Sequence, residues 1–449
     1  MTSYWCELAW LGDPAGHVQR GVTITVEGDR ITAVATGVDN SPVDAQRLTG
    51  LTLPGMANAH SHAFHRGLRG RTHGEMGSFW TWRERMYALA DRLDPDSYRA
   101  LATATFAEMV LAGFTCVGEF HYLHNDRGGS PYSETNAMGH ALLDAAAAAG
   151  IRITLIDTCY LHAGLAGDAG LTLNPIQRRF TDGDADAWIE RVDRLVGADT
   201  MTIGAGIHSV RSVDPASMSV VAEWAGARGA PLHAHVSEQP AENEQCLAVH
   251  GCTPSELLSR HGVLGDRFTA VHATHLTDAD IELLQASRTT CCVCPTTERD
   301  LADGIGPTAA FRSTGIAMAI GSDSHAIIDP FEEARAIELD ERLSSLRRGT
   351  HQPGELLATA TASGYRSLGW HDGGRIEAGA LADLTSVALN SPRLAGTDPD
   401  HVVAAVVFAA TAIDVHHVVV GGRVVVADAV HQTIDVAADL ERSIARVWS

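Results

Sequence analysis

Leu53-Pro54-Gly55-Met56-Ala57-Asn58-Ala59-His60-Ser61-His62 is the stretch whose reading decides the fold. An apolar run with strand character ends in a His-x-His pair. Residues i and i+2 of a strand share a face. The two imidazoles therefore project together from one strand end, as a tetrahedral metal requires of two of its ligands.

Outward from this pair, strand-like runs alternate with longer helical patterns. Candidate strands end near His62, Glu119, Asp157, His208, His235, His272, Cys294 and Asp323. Helical patterns such as Ala100–Ala112, Ala137–Ala149, Ala216–Arg228 and Asp278–Ala286 lie between them. Eight alternations predict an α/β chain folded as a (β/α)8 TIM barrel. The long segments after His62 and Asp157 read as active-site loops. Both ends of the chain read as β-rich: Val22–Val26, the turn Gly28-Asp29 and Ile31–Val34 near the start, then Ala382–Val387, Val403–Phe408, Val415–Val420, the turn Gly421-Gly422 and Val424–Val426.

The 449 residues suffice for one large domain and a smaller one, and 45% hydrophobic content supplies a core. A formal charge of −22 argues against nucleic acid or an anionic membrane surface as a partner. It also means that an anionic substrate needs a local cationic pocket. No apolar run approaches the ~18 residues of a membrane span, and Met1–Trp10 lacks the regions of a signal peptide. The eight scattered cysteines form no paired framework, so a cytoplasmic, reducing setting is expected. Cys291-x-x-Cys294 has no second CxxC and reads as buried strand cysteines.

The strand ends carry the chemistry in such barrels. Strand five ends in His233-Ala234-His235, followed by Ser237-Glu238-Gln239; strand six ends in Val271-His272-Ala273-Thr274-His275; strand eight ends in Gly321-Ser322-Asp323-Ser324-His325. Three histidines and a carboxylate hold zinc and leave room for water or substrate, the aspartate either binding loosely or serving as base. Iron(II) or manganese(II) also suits such a set. His233, one pleat below His235, reads as structural, and His275 and His325 as rim residues. No lysine ends the fourth strand, Ile203–His208, which favours one metal over two.

With Pro54-Gly55-x-x-Asn58-x-His60-x-His62, Asp323 and Gly374-x-Ile376-x-x-Gly379-x-x-Ala382-Asp383-Leu384, the chain resembles the amidohydrolase superfamily. More closely it is similar to the formimidoylglutamate deiminases of histidine degradation. His60-Ser61-His62-Ala63-Phe64-His65-Arg66, Phe79-Trp80-Thr81-Trp82-Arg83-Glu84, Gly118-Glu119-Phe120-His121-Tyr122, His208-Ser209-Val210-Arg211 and Cys294-Pro295-Thr296-Thr297-Glu298 carry that likeness. The resemblance implies a small β-sandwich from 1–53 and 375–449 beside a barrel of 54–374. It implies a homodimer with one zinc per subunit on His60, His62, His235 and Asp323, and proton transfer by Glu238, His272 and Asp323. Arg83, Tyr122, His208 and Arg211 match positions that hold the glutamate portion of the substrate. His65 stands where the family commonly has a substrate-touching glutamine.

The reaction implied is hydrolysis of N-formimino-L-glutamate to N-formyl-L-glutamate and ammonia. Water activated on the metal attacks the formimino carbon, Asp323 takes its proton, Glu238 protonates the imine nitrogen, and His272 polarises or shuttles protons. Bidentate arginine is the best partner for each carboxylate of this dianion. Arg66 and Arg69 read as salt-bridged and structural; Trp80 and Trp82 either wall the pocket or pack under a loop. The alternative is a related deaminase of a guanine- or cytosine-like ring, with the same metal set and a flatter, aromatic-lined pocket.

Overall fold

The computed structural model describes residues 1–73, 79–165 and 171–449. The chain enters through β1 (Thr2–Trp10), β2 (Val18–Glu27), β3 (Arg30–Ala35) and β4 (Gln46–Pro54). It then builds the eight-stranded parallel sheet expected of the middle region, in sequence order. Its strands are β5 (Met56–Ser61), β6 (Phe114–His121), β7 (Arg152–Cys159), β8 (Met201–Ser209), β9 (Leu232–Val236), β10 (Phe268–His272), β11 (Thr290–Val293) and β12 (Met318–Ile320). Six of them, β5, β6, β7, β9, β10 and β11, are buried at every residue, which is why their sequences read as near-continuous apolar runs. Helices Pro95–Leu111, Ala137–Ala149, Pro215–Arg228 and Asp278–Ser287 stand where helical patterns were expected.

The sheet closes on itself at one seam. The Asp323 amide donates to the His60 carbonyl (3.0 Å), and the His62 amide to the Asp323 carbonyl (3.2 Å). Asn58 clamps the same seam: its carboxamide donates to Ser322 Oγ (2.6 Å) and accepts from the Ser322 amide (2.9 Å). The first and last strands of the barrel thus meet at the His60–His62 pair.

The terminal segments form a second sheet. After the barrel come β13 (Leu384–Val387), β14 (Val415–Val420), β15 (Arg423–Ala427) and β16 (Val430–His431). The strand order is β16-β15-β14-β13-β4-β1-β2-β3, one hydrogen-bonded sheet. It curls over a core of its own, in which Tyr4, Ile24, Leu48, Leu384 and Val419 pack together. The Tyr4 hydroxyl donates to the Gly422 carbonyl (2.9 Å), bringing the β14–β15 turn over β1. Asp383, from the Ala-Asp-Leu motif, joins this sheet to the barrel. Its carboxylate accepts from Arg152 Nε of β7 (2.7 Å), from the Tyr365 hydroxyl (2.8 Å) and from the Gly421 amide (2.7 Å). A buried charge satisfied this fully fixes orientation as much as it stabilises.

Two expectations for the termini need correction. Val403–Phe408 is not a strand but part of helix Val402–Ala409. Its buried residues, Val402, Val403, Val406 and Val407, follow a helical face, and a short apolar run does not by itself distinguish the two states. The C-terminal end is also less β-rich than its sequence suggests. It finishes in helix Val436–Trp448, and the Trp448 indole donates to the Gly67 carbonyl (2.9 Å) of the barrel. Among the described residues no helix is long and apolar enough to cross a membrane.

Candidate active site

At the closing seam the imidazoles of His60 and His62 meet that of His235, from the end of β9. All three are buried. His62 Nδ1 donates to the Phe120 carbonyl (2.9 Å), and His235 Nδ1 to the His208 carbonyl (2.8 Å). Burial holds both histidines well below their ordinary pKa, and His60 below it too, so all three are neutral. A neutral imidazole has one N–H; with Nδ1 carrying it, Nε2 of His62 and of His235 presents a bare lone pair. His235 Nε2 lies 3.2 Å from His60 Nε2, and Asp323 Oδ1 lies 3.4 Å from Nε2 of both His60 and His62. Donor atoms converging this closely share either a proton on His60 Nε2 or a cation among them. Three imidazoles and a carboxylate fit a divalent transition ion. Glu119 braces the pair from behind: its carboxylate accepts from Ser61 Oγ (2.6 Å) and from the Ala63 amide (2.7 Å), while burial pushes its pKa to about 8.

His272 stands beside these donors among three carboxylates. Its Nε2 is 3.7 Å from Glu238 Oε1 and 3.9 Å from Asp323 Oδ2, and its Nδ1 is 3.5 Å from Glu298 Oε1. Burial opposes its charge, but Glu238, Glu298 and Asp323 together raise its pKa well above the usual value. Burial likewise opposes the charge on Asp323, yet His60 and its neighbours hold that carboxyl well below the carboxylate range. The turns that aim these groups are unusual. Ser237 (φ 52°), His272 (φ 67°), Ala273 (φ 51°) and Asp323 (φ 42°) are all left-handed without being glycine. Each costs about 1–2 kcal/mol, and such outliers cluster at functional sites.

Above the donors a cleft of about 960 Å³, up to its open mouth, is lined by every residue expected on the substrate side: His65, Arg83, Tyr122, His208 and Arg211. His65 Nε2 shares a hydrogen bond with the Tyr122 hydroxyl (3.1 Å). The Arg83 guanidinium lies over the Trp80 ring (4.4 Å) and near that of Tyr87 (5.6 Å); among the described residues it has no carboxylate partner. Arg211, by contrast, is compensated. Its Nη2 donates to Glu238 Oε2 (3.3 Å) and its Nε faces Glu242 Oε2 (3.1 Å). The segments expected as loops border the cleft, but the first does so through helix Phe79–Ala90; the second does so through Tyr160, Gly164 and Leu171. Residues 74–78 and 166–170 of those loops lie outside the described residues. Trp80 and Trp82 both line the cleft, and Trp82 also packs edge-on against His65.

Sequence reasoning missed Glu242 and Glu298. Both sit in the first turn of a helix with proline at its first position, Pro240–His250 and Pro295–Asp300. Each carboxylate reaches back to a backbone amide, Glu242 to Ser237 (3.0 Å) and Glu298 to Cys294 (2.8 Å). The Pro…Glu spacing is a legible helix-start signal, although it does not say what else the carboxylate touches. His325 is not a rim residue. It is fully buried, Nδ1 against Ser322 Oγ (2.9 Å) and Nε2 against Ser61 Oγ (3.2 Å), pinned by the closing seam. His275 is half-buried and donates to the Asp303 carbonyl (2.7 Å). His233 is structural, donating to the Ser367 carbonyl (2.9 Å). Arg66 and Arg69 both pair with Glu108, and Cys291 and Cys294 are buried thiols.

Residues 51–425 match the model of the Amidohydrolase family. The chain is 35% identical to the formimidoylglutamate deiminase of Pseudomonas aeruginosa, over 96% of each chain. It is 28% identical to the 5-methylthioadenosine/S-adenosylhomocysteine deaminase of Natronomonas pharaonis, over 94% of this chain and 92% of that protein. The crystal structure of an amidohydrolase from Brucella melitensis superposes with a TM-score of 0.92 at 31% identity, covering 100% of both chains.

Proposed function

We propose a function from the premise that this chain belongs to the amidohydrolase family. It is a hydrolytic enzyme, and we infer that its substrate is N-formimino-L-glutamate, cleaved to N-formyl-L-glutamate and ammonia. The observation that carries this reading is Arg83. A guanidinium facing the cleft with no carboxylate partner among the described residues, in a chain of net charge −22, is suited to an anionic ligand. The relative from Pseudomonas aeruginosa points the same way.

Zinc is the ion we assign to His60, His62, His235 and Asp323; bound there, it would supply Lewis acidity and activate water at neutral pH. The chain's own groups do the rest. Asp323 takes a proton from the attacking water, while the charged His272, its Nε2 3.9 Å from Asp323 Oδ2, polarises the reacting centre. Glu238 delivers one proton to the imine nitrogen and the proton that Asp323 took from water supplies a second, so that the C–N bond of the tetrahedral carbon breaks with loss of ammonia while the hydroxyl proton returns to Glu238 and oxygen stays as the formyl group. Arg83 and Arg211 hold the two carboxylates, with Tyr122, His65 and His208 completing the wall. A substrate carboxylate arriving at Arg211 competes with Glu238 for the same guanidinium.

One observation favours a second reading. Phe79, Trp80, Trp82, Tyr87, Tyr160 and Phe180 line the cleft, and such aromatic walls suit a flat ring. The deciding experiment is ammonia release from N-formimino-L-glutamate against guanine, cytosine, 5-methylthioadenosine and S-adenosylhomocysteine. Turnover of the acyclic compound alone is expected. Turnover of a ring with none of the acyclic compound would replace this assignment with the ring deaminase.

A further inference from the structure

The segment Cys294-Pro295-Thr296-Thr297-Glu298 has no part in the reaction as described so far, yet it is packed directly behind the proton carriers. Helix Pro295–Asp300 begins as β11 ends. Its first turn points two side chains at the site. Thr297 Oγ1 accepts from the Ser324 amide (3.1 Å) and donates to the Ser322 carbonyl (3.3 Å), gripping the turn that presents Asp323. Glu298 Oε1 accepts from the Cys294 amide (2.8 Å) and lies 3.5 Å from His272 Nδ1.

We propose that Glu298 is the positioning residue of His272: its carboxylate faces the Nδ1–H of that imidazole, accepts from it, and so aims Nε2 at Glu238, Asp323 and the reacting carbon. Three features require such a partner. His272 sits at a left-handed backbone position (φ 67°) just where β10 ends, so the ladder no longer dictates which way its ring faces. Its Nε2 already has two carboxylates nearby, Glu238 and Asp323, and a ring turned over would lose them. Glu298 is only 7% exposed and tethered by a backbone amide, so it cannot swing away to water. A buried carboxylate that fixes the rotation of a proton-carrying histidine follows the logic of a catalytic triad on another fold. The inference rests on the reading above only in taking His272 as a proton carrier.

The test compares wild type with Glu298→Ala and Glu298→Gln, as metal-replete full-length protein labelled with 15N-histidine. The downfield imidazole N–H signal of His272 is identified by its loss in His272→Asn. We expect that signal in wild type, shifted in E298Q, and lost to solvent exchange in E298A. We expect kcat for ammonia release to fall about 100-fold in E298A and about 10-fold in E298Q, with KM within threefold of wild type and metal content per chain unchanged. A retained signal in E298A, a kcat within threefold of wild type, or a kcat loss that tracks loss of metal would each overturn the proposal. Should E298A fail to fold, an unshifted signal or an undiminished kcat in E298Q overturns it equally. The signal needs no substrate. A wild type that leaves N-formimino-L-glutamate untouched therefore sinks the substrate assignment, while the N–H signal still decides the role of Glu298.

Discussion

His272 lies within 4 Å of both Glu238 and Asp323, so isosteric changes at the two carboxylates should spare the architecture while removing proton transfer and, at Asp323, the charge of a candidate metal donor. Glu238→Gln and Asp323→Asn are each expected to lower kcat by about 10³-fold or more. Both should leave the far-ultraviolet circular dichroism spectrum and the melting temperature close to wild type. A variant with wild-type-like rates would remove that residue from the proton path. The candidate metal donors stand out in the sequence because they are side chains with a spacing: His60 and His62 two apart on a strand, His235 and Asp323 at strand ends. Their orienting partners do not. His62 and His235 are held by the carbonyls of Phe120 and His208, and a backbone carbonyl looks the same whatever residue carries it. His325 was misread for a related reason: its two serine partners come from opposite ends of the chain, Ser61 and Ser322.

β12 packs against β5 without side-chain clearance at Gly321. A Cβ there would lie 2.8 Å from His60 Cβ, 2.9 Å from Cys294 Sγ and 2.9 Å from the His60 carbonyl oxygen. Gly321→Ala should force the two strands apart. Overpacking of this kind costs about 1–3 kcal/mol, and here the displacement falls on a ligand-bearing strand. We expect a lower melting temperature and at least a tenfold weaker hold on zinc in a chelator competition; unchanged zinc retention would show that the seam yields without disturbing the donors. Most of the barrel strands were legible as elements because six of the eight are covered on both faces and read as largely apolar runs ending in a polar residue. Val402–Ala409 was not. Its valines favour a strand locally, and only packing against helices Pro330–Ser345 and Pro353–Ala360 selects the helix.

Ion pairs knit the whole molecule from surface to core. Burial opposes the charge on Asp157, yet Arg191 beside it holds the carboxyl far below the ordinary range; Asp414, bonded to Arg393, is held at about 2 against the same opposition. Depressed carboxyls stabilise the fold above their unfolded value of about 3.9, and that stability is lost as pH falls through the folded value. Thermal melts from pH 5 downwards should therefore show a falling melting temperature, and Asp414→Asn should flatten the part between about pH 4 and 2. An unaltered slope in that variant would assign the acid limb to other groups. The chain has no lysine, so all 33 basic residues are arginine, and these pairs are not undone from the alkaline side through their cations. The seam has one more consequence, in time. Asn58 and Ser322, which clamp it, are 264 positions apart, so a ribosome moving at 5–20 residues per second needs roughly 13–50 s to deliver the second after the first. A nascent chain carries the His60–His62 pair through that interval with no aspartate to complete the cradle. Were an ion held by His60, His62, His235 and Asp323, its cradle would be complete only once Asp323 has been made.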